Sequence, residues 1–151
     1  MLREDYLISI KGKQISNGEE EKTEFKTKGD YIIKGDKKFI IYNEYVHPML
    51  NKPITSVLKI EKDKQVTLFH NGKSRTNLIL ERGQRHACCY DTMAGPLKVG
   101  IFTKTIDSTL DTDGGDIKIE YSLDYNCDVN IENYLSLNVK KFTHKEEKTN
   151  V

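Results

Sequence analysis

From Tyr6 to Phe142 the chain alternates apolar and polar residues in runs separated by short turns. Ile117, Ile119, Tyr121, Leu123 and Tyr125 alternate with Lys118, Glu120, Ser122 and Asp124. Ile131, Leu135, Leu137 and Val139 do the same with Asn130, Glu132, Ser136 and Asn138. Successive side chains of a strand point to opposite faces, so a period of two describes a sheet with one wet and one dry side. This constrains the architecture far more tightly than the chemistry.

The turns divide the chain into successive strands. Tyr6–Gln14 leads to Asn17-Gly18, which with Glu19, Glu20 and Glu21 reads as a polar hairpin loop. Lys22–Lys34 is long and interrupted by Gly29, a residue that inside a strand marks a bulge or a bend. Gly35-Asp36 turns the chain into Lys38–Val46, whose Phe-Ile-Ile-Tyr run suggests burial on both faces. His47 to Pro53 is irregular, with Pro48 and Pro53 keeping it out of a sheet. Ile54–Glu61, Gln65–His70, Ser74–Glu81 and Arg85–Thr92 follow at close intervals. Asn71-Gly72 joins two of them with the strongest short hairpin signal. Leu97–Ile106, Asp116–Tyr125 and Val129–Phe142 complete the set. The expectation is about ten strand segments, merging into eight to ten strands of an all-β, antiparallel up-and-down barrel. A barrel is favoured over a sandwich because a meander this long must curl shut or leave two bare edges. Residues 1–142 then form one domain and residues 143–151 a polar tail.

Composition narrows the function classes. The 151 residues suit one domain, and 36% hydrophobic content is enough for a sheet with a single apolar face. The 24 basic and 23 acidic side chains leave a net charge of +1, which is no footprint for nucleic acid. No apolar run approaches the ~18–20 residues of a membrane span. The start of the sequence lacks the apolar stretch of a signal peptide, so the expectation is a cytoplasmic protein. Cys88, Cys89 and Cys127 are an odd set in which two are neighbours facing opposite sides of a strand. They read as reduced packing residues.

Several short motifs imitate chemistry. Gly72-Lys73-Ser74 ends like a phosphate-binding loop, but Thr67 stands where the motif needs glycine and a strand follows it. Asp111, Asp113 and Asp116 surround Gly114-Gly115, a composition that a tight turn demands equally well and that lacks EF-hand spacing. His86 and Cys88 share a strand face, with Cys127 elsewhere, but no zinc-ligand spacing accompanies them. No cofactor motif and no catalytic constellation is present, so an enzyme ranks below a binding protein. The polar candidates are Tyr42, Glu44, Lys59, Arg75, Arg85 and Tyr90, on strands expected to line or cap the barrel. Arginine on a strand can grip a carboxylate or phosphate with two hydrogen bonds, and tyrosine offers a flat wall with one hydroxyl. The same residues on the outer face would form cross-strand charge pairs of little consequence. Ser74–Glu81 and Arg85–Thr92, joined only by Arg82-Gly83-Gln84, are expected to be antiparallel neighbours, which would bring Arg75 near Tyr90.

Thr23–Tyr31 followed by Phe39–Tyr45 resembles the opening of the YwiB-like family of uncharacterised bacterial proteins. Thr55–Lys59, the Asn71-Gly72 hairpin, Tyr90-Asp91-Thr92 with Gly95, and Thr103–Leu110 leading into Gly115–Tyr121 extend the resemblance along almost the whole chain. It departs from the family pattern at Met93-Ala94, where a proline is expected near the turn. The resemblance implies a lipocalin-like, calycin-type barrel of the bacterial cytoplasm and no known activity. The expected function is non-enzymatic binding of a small, anionic or amphipathic ligand in or at the mouth of the barrel, without cofactor, membrane or nucleic acid. The alternative is a packed barrel that serves as a protein-interaction or structural module, its partner unspecified.

Overall fold

The strands are β1 (Tyr6–Ser16), β2 (Glu19–Lys34), β3 (Lys37–Glu44), β4 (Ile54–Glu61), β5 (Gln65–Asn71), β6 (Thr76–Glu81), β7 (Arg85–Thr92), β8 (Gly95–Ser108), β9 (Gly114–Tyr125) and β10 (Val129–Lys141). The computed structural model describes residues 4–44, 54–62, 64–71, 76–92, 95–125 and 129–141, and at positions 44, 54, 70, 71, 76, 77, 88–92 and 129 the backbone path alone. The strands form one sheet in the order β6-β5-β4-β3-β2-β1-β10-β9-β8-β7. Every ladder in it is antiparallel. Each strand thus pairs with its neighbours in sequence, β6 and β7 excepted, and β1 pairs with β10 to bring the meander round into a nearly closed barrel. The expected partnership of β8 with β9 and of β9 with β10 is present.

The closure has one gap. β6 and β7 stand at the two ends of the sheet order, so they are not the antiparallel neighbours that their short connection suggested. The Arg82–Gln84 corner spends its hydrogen bonds elsewhere. Gly83 N donates to Thr103 O at 2.7 Å and Arg82 N donates to Lys64 O at 2.9 Å. Arg82 and Thr103 form a lone parallel bridge. Across this seam His86 Nε2 and Glu81 Oε1 lie 2.8 Å apart. The sheet irregularity in β8 between Thr103 and Thr105, a one-residue bulge, falls beside the same corner.

Two local features differ from the reading of the sequence. Glu19, Glu20 and Glu21 are in β2, opposite Ser16, Ile15 and Gln14, not in the hairpin loop. Asn17 and Gly18 make a two-residue turn, with φ of 52° and 78°, and this geometry lets strand pairing begin at once on either side. Gly29 marks a bend and not a bulge, because its two ladders keep register. It faces Tyr6 in β1 and Tyr42 in β3, where β2 passes from one partner to the other. A Cβ there would collide with the Ile41 carbonyl oxygen and Ile8 Cδ1.

Inward side chains build the core as alternation requires. Ile8 and Ile10 of β1, Ile40 of β3, Leu58 and Ile60 of β4, Ile101 of β8, Ile117 and Ile119 of β9, and Leu137 and Val139 of β10 are buried together. Tyr121, Leu123 and Leu135 pack against them half-buried. In β3, Ile40 and Tyr42 are buried while Phe39 and Ile41 are only partly so, which is one-faced and not two-faced burial.

Candidate functional site

The strand directions give the barrel two unlike ends. At one end the connections are Gly35-Asp36, residues 62–64, residues 82–84 and residues 109–113. Here the 109–113 loop crosses from β8–β9 to β2–β3 and seals the interior. Leu110 is buried, Lys38 Nζ donates to its carbonyl at 2.8 Å, and Tyr31 Oη donates to Asp111 O at 2.8 Å. Tyr6 meets Tyr31 edge-on, with centroids 5.7 Å apart. Burial, then the nearby Asp111 carboxylate and Tyr6, push the Tyr31 hydroxyl up to about 12. The three aspartates considered for a metal serve the turn. Asp113 N donates to Asp111 Oδ1 at 2.9 Å, and Asn138 Nδ2 donates to Asp116 Oδ1 at 2.9 Å. Among the described residues, no three His, Cys, Asp or Glu side chains gather as metal ligands would.

At the other end, beside Asn17-Gly18, the inner face turns polar. The inward register that carries Ile8 and Ile10 continues in β1 as Gly12, Gln14 and Ser16. In β2 it reads Thr23, Glu21 and Glu19, opposite those three, and in β10 Asn133 lies opposite Gln14. Two hollows occupy this wall. One, of about 340 Å³, is lined by Gln14, Ser16, Asn17, Glu19, Glu21 and Ile131. The second, of about 210 Å³, includes Gln14, Glu21, Thr23, Tyr121 and Asn133. Burial raises the Tyr121 hydroxyl above its ordinary value, so it stays a neutral donor. The wall therefore combines amides, hydroxyls and carboxylates with Leu135 and Ile131 beneath them.

A larger hollow, of about 610 Å³, lies on the outer face across β2, β1, β10, β9 and β8. Lys11, Lys13, Glu24, Lys118, Glu120 and Tyr134 are among its walls. Lys13 Nζ sits 4.5 Å from the Tyr134 ring centre, a cation–π contact. The partial burial of the Tyr134 hydroxyl, then the Glu120 and Glu132 carboxylates, raise its pKa.

Three of the six sequence candidates, Tyr42, Lys59 and Arg85, have described side chains, and these do not share one face. Tyr42 faces inward and is buried. Lys59 faces outward, within 3.0 Å of Glu61, and its hydrogen bond holds that carboxyl below its ordinary pKa. Arg85 is also on the outer face. Its guanidinium lies over Gly100 and grips Asp124 with two hydrogen bonds of 3.2 and 2.8 Å. Glu44 and Tyr90 are in β3 and β7, but their side chains lie outside the described residues, as does all of Arg75. The same holds for Gly72-Lys73-Ser74, for the loop at 47–53, for Met93-Ala94 and for the side chains of Cys88, Cys89 and Cys127. His86 contacts Glu81. The residues that sequence reasoning missed are Gln14, Ser16, Glu19, Glu21 and Asn133. Their signal was a polar residue at an inward position, clearest at Asn133, where the series Leu135, Leu137, Val139 fails on its way to Ile131.

Residues 8–137 match the family described as a domain of unknown function, DUF1934. The chain belongs to that family. The DUF1934 match spans every strand except parts of β1 and β10. A relative in Bacillus subtilis (strain 168), named as the uncharacterized beta-barrel protein YwiB, is 28% identical over 116 residues, covering 77% of this chain and 79% of the relative. The crystal structure of the ywiB protein from Bacillus subtilis superposes with a TM-score of 0.78 at 22% identity, covering 94% of this chain and 96% of that one. The barrel is thus shared with a solved structure, and the description of the family that this chain matches carries no activity. Among the described residues no helix is long and apolar enough to cross a membrane.

Proposed function

We propose that the protein is a non-enzymatic binder that holds a small amphipathic ligand at the polar end of its barrel interior. One observation carries the reading: the inner face is apolar and sealed by Leu110 at one end, but polar and hollowed at the other. A packed barrel with no ligand would gain stability by continuing Ile8 and Ile10 with further apolar residues, since each buried apolar side chain contributes about 1.5–3 kcal/mol. Gln14, Glu21 and Asn133 instead offer donors and acceptors that a ligand head could use, above Leu135 and Tyr121 that would meet its apolar body. Glu19 and Glu21 favour a hydroxylated or cationic head over an anionic one, and Arg85 is already engaged by Asp124 on the outer face. This is how small barrels of lipocalin type use their interiors.

The test is native mass spectrometry on protein purified without denaturation, followed by thermal-shift screening with amphipathic amines and polyols. A co-purifying mass, or a ligand whose stabilisation is lost in Gln14→Leu and Glu21→Gln, supports the reading. A clean apo mass together with no ligand response overturns it. The second reading, a barrel that works through its outer surface, is favoured by the 610 Å³ hollow around Tyr134 being the larger one. A ligand response abolished by Tyr134→Ala and untouched by Gln14→Leu would establish it instead.

A further inference from the structure

β2 is sixteen residues long and exchanges one neighbour for another at Gly29, which is paired on both sides. Glu19 through Gly29 pair with β1, whereas pairing with β3 begins at Gly29. Among the described residues, nothing forms a ladder on the other side of Glu19–Lys28. Residues 19 to 26 are exposed in an unbroken run, Phe25 included. An open edge of this length offers backbone N–H and C=O groups to another strand.

Proteins guard such edges with charge, and a guard works by repulsion. The charges here have a different order. Glu19, Glu20 and Glu21 precede Thr23, and Lys26 and Lys28 follow it. A sequence that is acidic before its centre and basic after it attracts its own antiparallel copy. We propose that this edge is a self-association surface, on which a second copy of the chain adds its own β2 antiparallel, with Thr23 opposite Thr23.

The register follows from the alternation. A two-fold axis normal to the sheet keeps inner faces together, so even positions must meet even ones and odd positions odd ones. With Thr23 at the centre, the outward pairs are Glu20 with Lys26 and Lys22 with Glu24, each occurring twice. All four are of opposite charge. Moving the centre to Lys22 sets Lys22 against Lys22 and Glu20 against Glu24. Moving it to Glu24 sets Glu24 against Glu24 and Lys22 against Lys26. Only the Thr23 register is free of like-charge pairs. It also relieves a conflict within one chain, where Lys22 stands opposite Lys13. Lys26 stands opposite uncharged Ser9, and neither Lys22 nor Lys26 has an ion pair among the described residues. Glu20 and Glu24 reach Lys13 and Lys11 at 3.7 and 4.0 Å, so the second copy's lysines would extend these pairs into short charge rows.

Sedimentation equilibrium of the full chain, from micromolar to millimolar, tests the proposal. The expected result is a dimer weakened about tenfold or more by Glu20→Lys or Lys26→Glu alone, since each change makes two pairs repulsive. The double variant Glu20→Lys/Lys26→Glu reverses both members of the pair and restores the dimer, which a misfolded single variant could not imitate. The amides of residues 19–28 that point away from β1, every second one along the strand, should gain protection from hydrogen exchange only as concentration rises. A chain that stays monomeric throughout, or a dimer indifferent to these swaps, overturns the proposal. Protection of those edge-facing amides already complete at the lowest concentration also overturns it, because another segment of the same chain then covers the edge.

Discussion

The two ends of this barrel are made from the same five long strands, yet they are built on opposite rules. Around Tyr31 and Leu110 the inward positions are mainly apolar, Thr103 being a buried exception whose hydroxyl has no partner among the described residues, and Lys38 and Tyr31 tie down the carbonyls of the covering loop. Around Gln14 and Glu21 the inward positions of the same strands carry amides and carboxylates over hollows. Alternation alone sets which face a side chain takes. Whether that face is a core or a binding wall is decided by what stands at each inward position, and this changes within one strand. β1 passes from Ile8 and Ile10 through Gly12 to Gln14 and Ser16 in nine residues. The difference predicts that stability resides at the sealed end and ligand recognition at the other.

The largest effect should come from Leu137→Ala. Leu137 has no exposed surface, and opposite Ile10 and Ile117 it sits at the centre of the core. Its truncation should cost about 2–5 kcal/mol in urea unfolding. Leu123→Ala, half-buried toward the polar end, should cost roughly half as much or less. Equal losses would mean that the packed core runs the full length of the barrel, and the contrast between the ends would collapse.

Next comes Gly29→Ala. The added methyl has no room between the Ile41 carbonyl oxygen and Ile8 Cδ1, and backbone oxygen cannot step aside as a flexible side chain can. Overpacking should cost about 1–3 kcal/mol, measured by thermal unfolding. An unchanged midpoint would show that the bend between β1 and β3 can open, and that the sealed half is less rigid than drawn.

These two positions also show how much was legible beforehand. The strands, their order and the inward register of Ile119, Leu137 and Val139 followed from alternation, because a strand with one dry face permits only one register. Gly29 was legible as an irregularity, although only the structure shows that it marks a change of partner. The seam was not legible. Three residues between Glu81 and Arg85 look like a hairpin connection, but the Arg82–Gln84 corner is captured by Thr103, far away in sequence. The facing of two candidate residues was hidden for a similar reason. Arg85 and Lys59 drew notice as charged strand residues, and their outward register, fixed by partners in β8, β3 and β5, was out of reach of local pattern. Gln14 and Asn133 were in view as breaks in the apolar series, and attention to charge passed over them.

A smaller effect isolates the lid. Tyr31→Phe removes the hydroxyl that donates to Asp111 O, at an expected cost of about 0.5–1.5 kcal/mol. The pH dependence gives a second readout. An unfolded tyrosine releases its proton near 10.0, whereas the folded Tyr31 holds it to about 12. Between these values the native state binds the proton that the unfolded state has lost, so stability falls as pH rises through this window. Below it the contribution is complete. Tyr31→Phe should flatten that alkaline slope relative to the parent chain. An identical slope in both would remove Tyr31 from the account of how the end is sealed.

The smallest effects should be those of Gln14→Ala, Glu21→Gln and Asn133→Ala. These residues face inward, and inward polar groups ordinarily matter for stability because burial without partners costs about 1–3 kcal/mol each. Here they border hollows open to the outer water, and Asn133 Nδ2 also donates locally to Ile131 O at 3.2 Å, so their removal should change unfolding free energy by about 0.5 kcal/mol or less at Gln14 and Glu21 and by less than about 1 kcal/mol at Asn133. That near-neutrality is itself informative. If the three changes together raised stability, the polar wall would be a strain that an apolar barrel could relieve, and its presence would call for a use such as ligand binding. If any one of them destabilised the fold by more than about 1 kcal/mol, its side chain would belong to a satisfied structural network. The binding reading would then have to move to the outer hollow at Tyr134.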